Sequence, residues 1–549
     1  MRSTRLAACA AFAAAAVAAA GCGKAAPSSS TSAARTTASA AESVALSPDT
    51  PAPAGRAGTV TWAVYREVQT IDPIQAFDYP DNTAVSALCD ALLRQLPDGG
   101  IEPGLATASS PDPRTLVLRL DPAARFWDGT AVTPDDVVFS LERNRDPRLG
   151  GFYGLVFARV ASIRATGDDE VTLKLRAPDM WLRGELSQMP GVVVKKAYAE
   201  ARGPRFGSPS GGTMCSGAFR LGSWKPGAQL SAVANADYWN PDLAPHAEQI
   251  DFKGVPDDAS LTSGLVTGAI GGTYMPPLSA LDQLRSNDAV TVTRGPSFTT
   301  DALVVSNLRG ALGDVKVRQA LSLALDRRAF IDTLYKGMAT LPRTLANPGT
   351  WGYGRAVFEA DWNAQPEPAV DLARARALVE QAGAVGRTIT LGMTSEVNNI
   401  ATMATAVRSA GESIGLRVVF KAVPAASFIN FFIDPKAREG VDAFPTTNYP
   451  DYADPAAFYT TFTAPGGSQN YSGWEDREVT ALMERARQTE DDDARARLVA
   501  RAGDILNEQL PWIPLANGNT ILVTDRRYTG APASFVYMGG PWAYALGTK

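Results

Sequence analysis

From Gly58 onward the chain passes repeatedly from short alternating segments to helices with well-marked starts, and this alternation limits its fold more than any other feature. Thr59-Val60-Thr61-Trp62-Ala63-Val64, Leu116 to Leu120, Val171 to Leu175, Ile389-Thr390-Leu391 and Arg417 to Phe420 read as strands. Between them lie helix starts. Thr133 is a natural N-cap, Pro134 suits the first helical position, and Asp135 and Asp136 face the positive end of the helix dipole. Capping therefore explains this acidic pair without acid–base chemistry. Asp326 and Asp371 begin further helices that end near Gly337 and Gly383. Thr489 and the acidic run 490–493 open another, ending near Leu510, and that run reads as a solvated first turn. A helix containing Cys89 is expected over 82–96. Strands alternating with helices imply an α/β fold. At 549 residues the chain exceeds what one hydrophobic core usually serves, so two or more domains are expected.

The N-terminus reads as an export signal. Arg2 and Arg5 precede Leu6 to Ala20, an uncharged run of 15 residues that is short for a membrane span but fits a signal-peptide core. It ends in Ala19-Ala20-Gly21-Cys22, small residues before a cysteine that resemble a bacterial lipobox with Cys22 as the lipidated residue. Residues 24–56 are rich in Ala, Ser, Thr and Pro and read as a disordered tether. With Cys9 inside the signal segment and Cys22 at its end, an exported context permits a disulfide between the other two cysteines, Cys89 and Cys215.

Several chemistries lack their residues. The single histidine, His246, sits in a Pro-bounded loop and reads as a surface residue, so a histidine-based nucleophilic site has no support. No Cys/His cluster has zinc spacing, and no phosphate-cradling Gly-rich loop appears. No catalytic residue, metal or cofactor is expected. A net charge of −5 without a basic block argues against nucleic acid as a partner. Carboxylate-only catalysis, as in a secreted hydrolase, stays open as an alternative.

The segment Phe126-Trp127-Asp128-Gly129-Thr130-Ala131-Val132-Thr133-Pro134-Asp135-Asp136-Val137-Val138-Phe139-Ser140-Leu141 resembles the signature of the family 5 extracellular solute-binding proteins, among them the oligopeptide- and dipeptide-binding components of ABC importers. Three more matches follow the family's order: Ile71-Asp72-Pro73, the run Asp314 to Leu321 with Ala324-Leu325-Asp326-Arg327, and Asp451-Tyr452-Ala453-Asp454-Pro455. The resemblance covers roughly 58–549 and implies a two-lobed α/β fold of the periplasmic-binding-protein type (class II, cluster C) with a satellite domain in lobe I. It divides the chain into a signal peptide (1–21), an anchor and linker (22–57), lobe I (58–98, 220–300 and 511–549), the satellite (99–219) and lobe II (301–510), with hinges near 300 and 510.

The implied protein is a monomeric, extracytoplasmic lipoprotein on the outer face of the cell membrane, in the periplasmic space. It captures peptides between its lobes and delivers them to ABC permease subunits. The alternative within this fold is a non-peptide solute: an oligosaccharide, an opine-like compound or a chelated metal. A further alternative is presentation of the ligand to a sensor without import. By the family pattern Asp451 meets the ligand's N-terminal ammonium, and Asp78 and Tyr79 lie in a loop that pairs with peptide backbone. Asn448 stands where oligopeptide binders often carry Trp, and Tyr449, Tyr452 and Trp351 are candidate pocket walls.

Overall fold

The computed structural model describes residues 46–549, which form one compact unit. The expected signal segment, Cys22 and most of the tether lie outside the described residues.

Three sheets organise the unit. The first has seven strands in the order Val290–Gly295, Thr520–Asp525, Gly272–Thr273, Ala57–Val64, Ala247–Gly254, Gln229–Ala234 and Phe219–Lys225. At its centre Ala57–Val64 runs parallel to Ala247–Gly254, with Trp62 opposite Phe252. Trp62 stacks into a buried aromatic group with Trp542 and Tyr274, at ring distances of 4.6 and 5.2 Å. The second sheet has six strands in the order Ala339–Thr340, Trp512–Gly518, Thr300–Val305, Ala443–Asn448, Thr388–Met393 and Arg417–Ala422. Its core includes Phe458, Phe462 and Trp512, with the last two rings stacked at 4.6 Å. The third is an antiparallel sheet in the order Ala106–Asp112, Thr115–Leu120, Glu170–Leu175 and Val160–Ala165, with its own core around Leu118, Phe126, Val137 and Leu173. These are the cores of two lobes and a satellite.

The chain crosses between the two large sheets at Pro296–Thr299 and again at Asn519. The expected second crossing near 510 is thus displaced. Trp512–Gly518 belongs to the six-stranded sheet, where it pairs with Thr300–Val305, and only from Thr520 does the chain enter the seven-stranded one. The crossings are tied together. Asn347, 4% exposed, donates from Nδ2 to Thr299 O and to Gly518 O, both at 2.7 Å, and Gly518 N donates to Thr299 O at 2.9 Å.

The sequence motifs acquire physical reasons. Thr133 caps Pro134–Arg145 in a full capping box with Asp136. From the last turn of that helix Arg143 donates to both oxygens of Asp72, at 2.9 and 2.6 Å, and so fastens the satellite to the early Ile71-Asp72-Pro73 loop. Arg318 and Arg327 are buried and feed backbone carbonyls: Gln509 O, Leu312 O and Gly313 O for the first, Pro514 O and Ser322 O for the second. These bonds hold the turns around the Trp512–Gly518 strand, where unpaired carbonyls would be costly.

Two local expectations change. The Cys89 helix runs Tyr79–Leu88, starting about one turn and ending about two turns earlier than expected, because Asp78 caps it, Pro80 fills its first turn and Leu93–Gln95 is a strand. Cys89 lies just past its end, buried and bonded to Cys215 at a Cα separation of 5.0 Å. The linker expected through 57 is structured from Leu46 on. Ala54 N donates to Thr548 O at 2.9 Å, Thr50 Oγ1 to Ala531 O at 2.9 Å and Thr529 Oγ1 to Pro51 O at 2.6 Å, so the C-terminal segment pins it.

Candidate functional site

Where the two lobes and the satellite meet, Asn82, Tyr153, Gln188, Tyr449, Asp451 and Phe535 line a small cavity, about 10 Å³ in this closed arrangement. Asp451 follows the strand Ala443–Asn448. It makes no hydrogen bond or ion pair among the described residues. Its side chain keeps accessible surface, yet surrounding protein pushes its carboxyl up to about 6. Dense protein around part of a carboxylate raises its pKa even where the rest of the group keeps contact with solvent. An anion held this way gains most from a cation that arrives with the ligand.

Beside the cavity, near enough for the Asp451 charge to act on it, stands Glu185, the last residue of the short helix Leu182–Glu185. Its Oε2 is buried without a hydrogen-bond partner. Burial, then the charges of Asp451 and Asp179, raise its pKa well above the ordinary carboxylate range. The helix reaches this close because Gly184 has no side chain: a Cβ there would lie 2.3 Å from the ring of Tyr452. Asn82, in the Tyr79–Leu88 helix, is 5% exposed and leaves Oδ1 unpartnered. Tyr153 donates its hydroxyl to Ala76 O at 2.6 Å.

The expected residues divide. Tyr79, Tyr449 and Phe535 form an aromatic wall, with Tyr79 and Tyr449 5.2 Å and Tyr449 and Phe535 5.0 Å apart. Asn448 shapes the turn: its Oδ1 accepts from Tyr449 N at 2.9 Å and its Nδ2 donates to Gln469 Oε1 at 2.6 Å. Asp78 is occupied, capping its helix through Tyr79 N at 2.8 Å and pairing with Arg66 at 3.0 Å. Tyr452 is 3% exposed and packs on Gly184 beside the cavity. Trp351 is not brought to the site; it packs against Phe358 and Trp362 in the core of the six-stranded lobe. Asp454 caps the helix Pro455–Thr463 and accepts from Tyr353 at 3.0 Å. His246, expected at the surface, is half-buried, because backbone bonds to Ala57 and Tyr544 pull its loop against the lobe. Sequence reasoning missed Glu185, Asn82 and Tyr153, whose convergence has no local signature.

The site is closed by contacts between the satellite side and the six-stranded lobe. Arg487 donates to both oxygens of Asp179, at 2.7 and 2.5 Å, and its guanidinium lies 4.7 Å from the Trp181 ring. Met180 N donates to Arg487 O at 2.9 Å, and Arg159 pairs with Glu484. Among the described residues no cluster is arranged to hold a metal ion, and no helix is long and apolar enough to cross a membrane.

Two lobes joined by paired crossings, with an unpaired carboxylate at their junction, define a solute-binding protein of the periplasmic type. Residues 100–470 match the bacterial extracellular solute-binding proteins, family 5, and the chain belongs to that family. It is 25% identical over 479 residues to the probable D,D-dipeptide-binding periplasmic protein of Escherichia coli, covering 84% of this chain and 89% of that one. Among solved structures it resembles the ABC transporter-associated periplasmic binding protein DppA of Helicobacter pylori in complex with the peptide STSA, with a TM-score of 0.76, 21% identity and coverage of 90% and 98%. It is also similar to AgaA of A. tumefaciens in complex with agropinic acid, with a TM-score of 0.75, 21% identity and coverage of 90% and 99%.

Proposed function

We propose that this protein captures peptides with a free N-terminus between its lobes and hands them, chemically unaltered, to the permease of an ABC importer. The observation that carries the reading is Asp451: a carboxylate crowded by protein but unpaired by it, at the junction of the lobes. A ligand ammonium restores the interactions this anion loses with water. The aromatic wall of Tyr79, Tyr449 and Phe535 supplies apolar surface for the adjoining residues. Relatives named for dipeptides and oligopeptides support the same ligand class. No catalytic role is assigned. Cys22 carries the lipid, a monomer works from the outer face of the membrane, and the segment between Cys22 and Leu46 tethers it.

Binding of synthetic di- to pentapeptides, each with a free or an acetylated N-terminus, tests the reading. Free peptides are expected to bind, acetylated ones to bind at least tenfold more weakly, and Asp451→Asn to weaken the free peptides by more than about tenfold. Equal affinity for free and acetylated peptides removes the ammonium contact. Capture of an opine-like compound with no peptide binding selects the non-peptide alternative.

A further inference from the structure

More acceptors gather around Asp451 than a single ammonium contact requires. Asp451 approaches from the turn after Ala443–Asn448, Glu185 from the end of Leu182–Glu185 and Asn82 from the helix Tyr79–Leu88, three segments distant in sequence. The Glu185 Oε2 and Asn82 Oδ1 atoms are both buried and unpartnered. The Asn82 amide lies against the Tyr153 oxygen, whose own proton is given to Ala76 O, so Nδ2 turns to Tyr153 and Oδ1 is left over. Acceptors that protein donors leave unpaired, as at Asp451, Glu185 and Asn82, are matched by a group that brings only donors, and an alkylammonium brings three N–H bonds and one positive charge.

The remaining ionisable neighbours are already engaged. Asp179, from the segment before the Glu185 helix, is held by Arg487 at the end of Arg477–Arg487. Asp454, at the cap of Pro455–Thr463, takes Ala456 N and the Tyr353 hydroxyl. Tyr153, Tyr449 and Tyr452 are kept neutral by burial. No cation is thus left over for the two free acids, which repel each other when both are ionised.

We propose that Glu185 and Asn82 complete the ammonium subsite with Asp451, and that Glu185 carries a proton in the empty protein which the ligand's ammonium displaces. The exchange balances: protonated Glu185 loses its proton to solvent, and the ammonium enters between the two carboxylates with the net charge of the site unchanged. Burial and the neighbouring acids already hold Glu185 toward its neutral form, which supplies that proton. This inference rests on the peptide reading above and assigns the residues and proton stoichiometry of the same site.

The test uses the full chain and the free di- to pentapeptide most strongly captured from the synthetic mixture. Calorimetry in buffers of different ionisation enthalpy at pH 7 is expected to show release of up to one proton by wild type. Affinity is expected to rise by up to about tenfold from pH 6 to 7. Glu185→Gln, an isostere of the neutral acid, is expected to fold with an unchanged melting temperature, to release no proton at pH 7 and to gain less than about twofold over the same interval, the remainder coming from Asp451. Asn82→Ala is expected to bind more weakly while still releasing the proton. If Glu185→Gln binds the same peptide with the wild-type proton count and pH profile, the inference is overturned and the peptide reading stands. If no peptide is captured at any pH, both fall.

Discussion

Replacing Arg487 by Met removes the charge that holds Asp179 while keeping most of the side-chain length. Asp179 has a side chain only 1% exposed and receives two charge-assisted bonds from Arg487, whose own side chain is 19% exposed. Removing one member of so buried a pair leaves an uncompensated carboxylate, at a penalty of about 3–5 kcal/mol. The pair joins the satellite side to a helix of the six-stranded lobe, so its formation belongs to closure. If the open form lets Asp179 reach water, the whole penalty falls on the closed form. At 1.4 kcal/mol per decade, apparent affinity then falls by about a hundredfold or more, because ligand must drive a closure that is no longer self-supporting. Isothermal calorimetry on wild type, Arg487→Met, Asp179→Asn and the double variant measures this, and the double variant is expected to recover much of the loss. If Arg487→Met binds within twofold of wild type while its unfolding free energy drops by about 3 kcal/mol, the pair persists in the open form and the reasoning is refuted.

Two further outcomes follow from the fold. Replacing Cys89 and Cys215 by Ser opens a loop of 126 residues, and the chain-entropy relation gives a loss of about 5 kcal/mol in denaturant unfolding; unchanged stability contradicts it. Burial raises Asp301, 1% exposed between Tyr335 and Thr447, from 3.8 to about 6, so its contribution to stability is full below pH 3.8 and is lost as pH rises through 6. The melting temperature is expected to fall between pH 4 and 7. Asp301→Asn is expected to flatten part of that fall, leaving the shares of Asp361, Asp451 and Asp454, which burial raises in the same direction.

Local chemistry explains what was legible in the sequence. The capping box at Thr133, the caps at Asp326 and Asp371 and the strands around Leu116, Val171 and Ile389 are decided by residues a few positions apart, and all appear where local rules place them. The acidic run at 490–493 likewise opens a helix, although Asp491 rather than Thr489 is the cap. The second crossing was misplaced because the end of the helix Asp492–Gln509 is a strong local mark, whereas the change of sheet at Asn519 depends on which neighbours the two strands find.

The site shows the same limit. Asp451 and Tyr449 sit in a recognisable motif. Glu185 and Asn82 are ordinary residues of two helices, brought beside Asp451 only because Gly184 admits the Tyr452 ring and Arg143 fastens the satellite to Asp72. Trp351 was a candidate by residue type alone, and packing claims it for a different core.

Small-angle scattering of the full chain, before and after saturation with a captured peptide, tests most directly whether two hinged halves shut on their ligand. The ligand-free curve is expected to report a more extended particle, and the saturated curve to match the closed arrangement in which Arg487 meets Asp179. Superimposable curves at full occupancy would contradict it.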